Sequence, residues 1–355
     1  FRIAQGYVHT PDLRVTWLNE LARFHYSETN FTEAALCHIH ICALVLEYLK
    51  QNCDYRLSVR EDELFHRMCP GLAEIADQEE EGACQSDVFS EAGLLAELNL
   101  ALDHLEKAGA FEYAIELYGL QMAIYQRNRS YKELAACHKQ LNRLYTLIPA
   151  VDDTVRLENE FFRVGFYGRA FGRLDGKQFI YKEPKFTHLF DFTEKVRHPL
   201  HRTTHRTPHT LTRHAPRTID HQMKRHCQKT YGVSDRQIET IDSTLEAKDL
   251  SDKKLYLQIT YLKLHLTDEE QRSRVTLFER NTNLTTFQFQ APFTKAGSGK
   301  AHAMGVADQW KRKTRLTVEA QFPHILKRLP VKSFTSVPSH ELPPYACHGL
   351  VWLMC

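Results

Sequence analysis

The feature that most constrains the fold is a change of pattern near Gly165. Before it, apolar residues recur at helical spacing, as Leu13, Trp17 and Phe24 do on one helix face. After it, short aromatic-rich segments alternate polar and apolar residues, as in 285–290, which is typical of half-buried strands. A helical half followed by a β half predicts an α+β chain with two domains of different class.

The helical half contains a weak internal repeat. Phe31, Phe111 and Tyr131 each precede small residues that enter a predicted helix. Small residues let helices approach closely, and the aromatic side chain fills the gap between neighbouring hairpins, as in stacked helical pairs. An ordinary helical bundle explains the same periodicity, so the sequence alone leaves a repeat array and a bundle both open.

Two segments fit neither domain. Residues 197–226 carry seven histidines mixed with arginine and threonine, and no acid before Asp220. A structured metal site needs ligands held by carboxylates or carbonyls, so we expect an irregular insert. Residues 332–355 have no amphipathic period, and we expect an unstructured tail. The predicted domains are therefore 1–165 and 166–331.

Composition favours a cytoplasmic protein and argues against several partners. The formal net charge of +2 provides no basic field for nucleic acid or a membrane surface. The basic run 311–313 beside Trp310 is more typical of a solvated strand edge than of a nucleic-acid surface. Nine scattered cysteines without a CxxC pair favour a reducing compartment. The N-terminus lacks a signal-peptide pattern. The sequence has no run of about 18 apolar residues, so we predict no transmembrane segment.

No motif for bond-making chemistry is present in the sequence. Gly299 and Lys300 are followed by Ala301, where a phosphate-binding loop requires serine or threonine. His38 and His40 lie two positions apart, so they face different sides of a helix and cannot share a metal. We therefore predict no catalytic residue, no metal site and no cofactor.

Seven short strings distributed over both halves carry a family resemblance. They are 11–18 (PDLRVTWL), 32–37 (TEAALC), 161–168 (FFRVGFYG), 179–184 (FIYKEP), 256–261 (YLQITY), 278–284 (FERNTNL) and 292–294 (PFT). In order and spacing, over roughly 10–195 and 230–331, the chain resembles the DOCK (dedicator of cytokinesis) family, in its DOCKER region. The Pro-Asp-Leu-Arg opening and the Lys-Glu-Pro form look closer to the Zizimin and Zizimin-related branches than to the Rac-only branches.

This resemblance implies three lobes. The first is an antiparallel helical array, often used for homodimerisation. The second is a pair of packed antiparallel sheets that binds a Rac- or Cdc-type Rho-family GTPase near its first switch. The third is a helical bundle whose loop expels magnesium and GDP. Such exchange favours the nucleotide-free GTPase and needs no cofactor. We expect GTPase contacts on the matched strands, and half of these residues in the core: Gln258, Thr260, Tyr261, Phe287 and Phe289.

The sequence departs from the family pattern at 197–226 and after Val331, where we find no counterpart of the nucleotide-sensing loop. We therefore expect a truncated member that binds the GTPase with little exchange activity, or a full exchange factor. The alternative is a helical scaffold that dimerises through 10–160 without binding a GTPase.

Overall fold

The computed structural model of the 355-residue chain describes the following parts: 10–53, 86–189, 192–193, 238–241, 255–294 and 309–336, with isolated positions 4, 6, 7 and 68. The predicted insert at 197–226 and residues 337–355 of the predicted tail lie outside them, whereas residues 332–336 of that tail belong to a strand, Arg328–Ser336, and are not unstructured. The chain divides into two compact units. The helical unit is 1–158, 268–284 and 320–327, and the barrel unit is 159–267, 285–319 and 328–355.

Consecutive antiparallel helices build the helical unit. Turns of three residues join α1 to α2, α3 to α4 and α4 to α5, and each of these pairs is in contact, which makes the members antiparallel neighbours. The long helices are α1 (Pro11–Ser27), α2 (Phe31–Cys53), α3 (Glu91–Lys107), α4 (Phe111–Arg127) and α5 (Tyr131–Leu147).

The same turn geometry ends α1, α3 and α4. Its middle residue has positive φ: Thr29 at 60°, Gly109 at 70° and Arg129 at 56°. In each turn the next amide donates to a carbonyl five residues back, as Ala110 does to Leu105 at 2.9 Å. This pattern satisfies carbonyls at the helix end.

The apolar stripe of α1 that the sequence shows does not face the core. Leu13, Trp17 and Phe24 are exposed, whereas Val15 and Leu18 are buried. The buried side of α1 includes small and polar residues, so hydrophobicity alone does not indicate which side packs inward.

The aromatic residues that begin the helices have different environments. Phe111 is buried, Phe31 is half-buried and lies edge-on to Tyr26, and Tyr131 is 70% exposed. The buried residues of α5 are Cys137 and Leu144. Tyr131 therefore does not fill a gap between hairpins, which corrects the expectation from the sequence.

Helix α2 is the centre of the core of the helical unit. Within the described residues it is the one helix long and apolar enough, by composition, to cross a membrane, and most of it is buried. It contacts α1 on one side and α3 on another. Burial of this kind is what the central helix of a helical domain requires, so its apolar composition is explained by packing.

Short segments from later in the chain complete the helical unit. They are α6 (Asp153–Leu157), α7 (Asp268–Ser273), α8 (Leu277–Asn281) and residues 320–327. Arg156 of α6 is buried, forms a bidentate ion pair with Glu112 at 2.6 and 2.8 Å, and donates to the Gly109 carbonyl at 2.8 Å. The rings of Tyr113 and Phe278 lie 4.9 Å apart.

Buried histidines occupy the same core. His38 donates to Glu97 at 2.7 Å, and the ring of His104 lies 5.1 Å from that of His38. Burial lowers the pKa of His40 to about 3, and the charges of Arg14 and His324 act in the same direction. Burial also lowers the pKa values of His104 and His324 to about 4. His40, His104 and His324 are therefore neutral at pH 7.

The barrel unit is a closed antiparallel ring of six strands. In ring order they are β1 (Asn159–Tyr167), β2 (Gln178–Pro184), β7 (Arg328–Ser336), β6 (Gln309–Phe322), β5 (Leu284–Thr294) and β4 (Leu255–Leu264), and β4 pairs again with β1. The short strand β3 (Ile238–Ile241) runs parallel to β4.

This ring corrects the expectation of two packed sheets. Strand β1 pairs with β2 on one edge and with β4 on the other, so the strands close on themselves. Alternating polarity marks a strand but does not specify its partners, and closure removes the exposed edges that two open sheets would keep.

Candidate partner-binding surface

The structure places four of the five predicted contact residues in the interior of the barrel. Gln258, Thr260, Phe287 and Phe289 are all buried, with Gln258 only 2% exposed. Tyr261 is 43% exposed. Because side chains alternate across a strand, Thr260 and Tyr261 face opposite sides of β4. Of the five residues, Tyr261 is therefore the one whose side chain is exposed enough to contact a partner directly.

A buried arginine organises the interior group. Arg163 of β1 pairs in register with Thr260, hydrogen-bonds the Gln258 side chain, and lies 5.2 Å from the centre of the Phe289 ring. Burial lowers the pKa of Arg163, and a hydrogen bond to Tyr167 opposes this shift. A desolvated guanidinium needs such partners, so these residues fix the strands relative to one another.

On the opposite face of the same strands, four side chains form one row. Arg328 of β7 is in register with Tyr181 of β2, Tyr181 with Phe162 of β1, and Phe162 with Tyr261 of β4. We call these four residues the outer row. Arg328 and Tyr261 are exposed at its two ends, Tyr181 is half-buried and Phe162 is fully buried.

Phe192 covers the middle of the outer row. Its ring stacks on Phe162 with centroids 4.2 Å apart and planes 10° apart, and it lies edge-on to Tyr181 at 5.4 Å. Around them a second core packs against the sheet from outside; it includes Val164, Phe166, Phe171, Phe179 and Leu257. This packing leaves the two ends of the outer row facing solvent.

Each end of the outer row carries a polar group of fixed geometry. Arg328 donates to the Tyr181 hydroxyl at 2.8 Å, and its guanidinium lies 4.9 Å from the centre of the Phe179 ring. At the other end, burial and then a hydrogen bond to Glu160 raise the pKa of Tyr261 to about 12. The outer row and the neighbouring Glu160 therefore combine aromatic side chains with one cation and one carboxylate.

The sequence did not indicate Tyr181 or Arg328 as site residues. Tyr181 lies in the matching string 179–184, but no motif shows which residues of other strands it faces. The described residues contain no group of three or more His, Cys, Asp or Glu side chains that could hold a metal.

Both units match models of known domains. Residues 1–150 match the model described as DHR-2, Lobe A, and residues 242–321 match DHR-2, Lobe B. The first range covers the five long helices, and the second covers β4, α7, α8, β5 and most of β6. The chain is thus a segment of the DHR-2 class.

Whole-sequence similarity gives the family. The chain is 34% identical over 339 residues to dedicator of cytokinesis protein 6 of Mus musculus, and 31% identical over 339 residues to protein 7 of Homo sapiens. It is 30% identical over 340 residues to protein 8 of Homo sapiens. Each alignment covers 93% of this chain and 14–15% of the relative. The chain belongs to the DOCK family, which confirms the prediction from its motifs, and it spans about 15% of the length of these relatives.

Proposed function

We propose that this chain binds a Rho-family small GTPase of Rac or Cdc type through its barrel unit, as part of a guanine-nucleotide exchange factor. The match of both units to DHR-2 lobes carries the proposal. Binding that favours the nucleotide-free GTPase lowers the affinity for nucleotide by linkage. This mechanism uses binding surfaces rather than catalytic residues.

Tyr261 is the proposed direct contact among the five residues identified from the sequence. Its exposed ring lies beside a buried aromatic core, which is a common setting for residues that dominate binding energy. Gln258, Thr260, Phe287 and Phe289 support it from the interior, since they hold β4 and β5 against β1. In this proposal Tyr261→Ala weakens GTPase binding without changing the fold.

The chain's own contribution to exchange is proposed to be binding with little nucleotide release. The decisive experiment measures release of a fluorescent GDP analogue from Rac- and Cdc-type GTPases at increasing concentrations of the chain, with a pull-down of the nucleotide-free GTPases beside it. Retention in the pull-down together with slow release supports the proposal. Rapid release would show a complete exchange factor, and absence of retention would refute GTPase binding.

A second proposal, that the helical unit forms a homodimer, rests on the exposed stripe of α1. Leu13, Trp17 and Phe24 share one face of α1 and are all exposed, and contiguous exposed apolar area commonly marks an interface. The proposed occupant is the same stripe of a second copy, because a two-fold interface joins identical patches.

Light scattering after size exclusion tests the dimer. Trp17→Ser is expected to shift the mass from dimer to monomer, whereas Leu100→Ser, at an exposed apolar position of α3, is the matched control and should leave the mass unchanged. A wild-type monomer at high concentration would refute the dimer, and GTPase retention by that monomer would also exclude a pure scaffold.

We further propose a cytoplasmic location. Cys37, Cys42 and Cys137 are buried, and burial raises the pKa of Cys42 and of Cys137. Buried protonated thiols behave as small apolar side chains, which is compatible with a reducing compartment. Imaging of a tagged full chain would test the location.

A further inference from the structure

Arg328 is an exposed cation that the barrel unit holds in one orientation. Its guanidinium lies 4.9 Å from the centre of the Phe179 ring and 5.8 Å from that of Tyr181, and it donates to the Tyr181 hydroxyl. Fixing a long side chain in advance reduces the entropy lost on binding. A guanidinium has five N–H donors, and the hydrogen bond to the Tyr181 hydroxyl uses one of its two terminal nitrogens.

Arg328 differs from other exposed arginines of the chain in the groups that its guanidinium contacts. Arg127 and Arg143 each reach a carboxylate of a neighbouring helix. Among the described residues, Arg328 forms its hydrogen bond with a phenol and its close contacts with rings. An arginine backed by aromatic faces is well suited to take a carboxylate in a bidentate pair.

The two tyrosines of the outer row supply the accessible apolar area of this surface. Tyr181 and Tyr261 lie on either side of the stacked pair of Phe162 and Phe192, which is fully buried and supports both rings. Tyrosine and arginine are enriched among the residues that dominate interface energies, especially around a packed centre. The outer row therefore has both a polar anchor and an aromatic surface.

The charges of the outer row favour a protein partner over a polyanion. Arg328 is at one end, and Glu160 holds Tyr261 at the other. A phosphate chain would gain from one cation and be repelled by the carboxylate, and phosphate sites commonly use several cations or backbone amides. One aspartate or glutamate beside an apolar side chain matches Arg328 and the neighbouring Tyr181 ring.

We propose that the accessible part of the outer row, namely Arg328, Tyr181 and Tyr261 around the buried Phe162, is the surface on which the barrel unit docks its GTPase, with Arg328 taking a carboxylate of the partner. An apolar side chain next to that carboxylate packs on the tyrosine rings. The inference rests on the proposed GTPase binding and adds its chemistry: a single acidic residue flanked by an apolar one, recognised by a pre-oriented guanidinium.

The test is the affinity of the full chain for nucleotide-free Rac- and Cdc-type GTPases, measured for the wild type and three variants. Arg328→Met is expected to raise Kd about tenfold or more, as loss of an anchoring residue does. Arg328→Lys keeps the positive charge but loses the planar guanidinium that can pair with both oxygens of a carboxylate. Its Kd should lie between those of the wild type and Arg328→Met. Lys332→Met removes another exposed cation of β7 and is the matched control, with Kd unchanged.

Two further measurements separate docking from folding. Tyr261→Leu keeps apolar area at the far end of the row and should weaken binding severalfold, while the thermal midpoint of each variant reports the fold. Neutralising single aspartates and glutamates of the GTPase should identify one whose loss weakens the wild type but adds nothing to Arg328→Met.

The outcomes distinguish this inference from the proposed function. If the wild type binds a GTPase and Arg328→Met and Tyr261→Leu bind equally well, the outer row is not the docking surface, although GTPase binding stands. If Lys332→Met weakens binding as much as Arg328→Met, the effect is general electrostatics and the inference fails. If the wild type binds none of the GTPases, both the inference and the proposed function are wrong.

Discussion

Acidification from pH 7.5 to pH 5 is expected to destabilise the helical unit through its buried histidines. His40 is fully buried, and its pKa is about 3 in the folded chain, against about 6.5 in an unfolded one. A group whose pKa falls on folding binds more protons when unfolded, so the free energy of unfolding decreases as the pH drops below 6.5. For His40 the loss continues down to about pH 3.

The magnitude follows from those two pKa values. At pH 5 the unfolded side chain is almost fully protonated and the folded one almost fully neutral, so the linkage free energy is about 2 kcal/mol, and it grows by about 1.4 kcal/mol per further pH unit. His104 and His324, with pKa values of about 4, act in the same direction. A few kcal/mol is a large share of an ordinary domain stability.

Urea unfolding followed by circular dichroism at pH 7.5, 6 and 5 measures this effect. Between pH 7.5 and pH 5, the free energy of unfolding of His40→Gln is expected to fall by about 2 kcal/mol less than that of the wild type. His324→Gln gives a second measurement if the first variant is too unstable. His138→Gln, at an exposed position of α5, is the control and should follow the wild type.

The pH window separates histidines from carboxylates. The Thr276 amide and hydroxyl lower the pKa of Glu279, so its contribution is lost only below about pH 4.5. Equal free energies of unfolding at pH 7.5 and pH 5, or the same loss in His40→Gln as in the wild type, would refute the reasoning.

Two further predictions concern stability at neutral pH. Gly93→Ala is expected to lower the free energy of unfolding by about 2 kcal/mol, because the added Cβ would overlap the Val88 backbone. Gly119→Ala, whose added Cβ meets nothing within 4 Å, should raise it by about 0.5–1 kcal/mol. Urea midpoints that change in the same direction for both variants would contradict this. Arg156→Met should lower the free energy of unfolding by about 3 kcal/mol, because it leaves the partly buried Glu112 carboxylate unpaired. Arg127→Met, which removes an exposed ion pair, should lower it by less than about 1 kcal/mol. Equal losses for the two variants would contradict the role assigned to burial.

The sequence predicts the types of the elements well because periodicity is a local property. The change of pattern near Gly165 falls within β1, which begins six residues earlier at Asn159, just after the last helix before the barrel. Strand pairing is not local, and this explains why the ring was missed. β1 pairs with β4 across about ninety residues of chain, and alternation in either strand carries no information about that partner.

Burial of the predicted contact residues was harder to infer for a related reason. Thr260 and Tyr261 are adjacent and both amphipathic, and only the register of β4 against β1 shows which one faces the interior. The buried Arg163 shows the same limit, because a charged residue is normally assigned to the surface. The outer row depends on three registers at once, so sequence reasoning could not have assembled it.

The central claim is that the barrel unit binds a Rho-family GTPase in the nucleotide-free state. Equilibrium titration of one GTPase, in nucleotide-free and GDP-bound forms, against the full chain tests it most directly. We predict measurable binding, with the nucleotide-free form binding at least tenfold more tightly than the GDP-bound form, which is about 1.4 kcal/mol of coupling. Equal affinity for the two forms, or binding to neither, would contradict it.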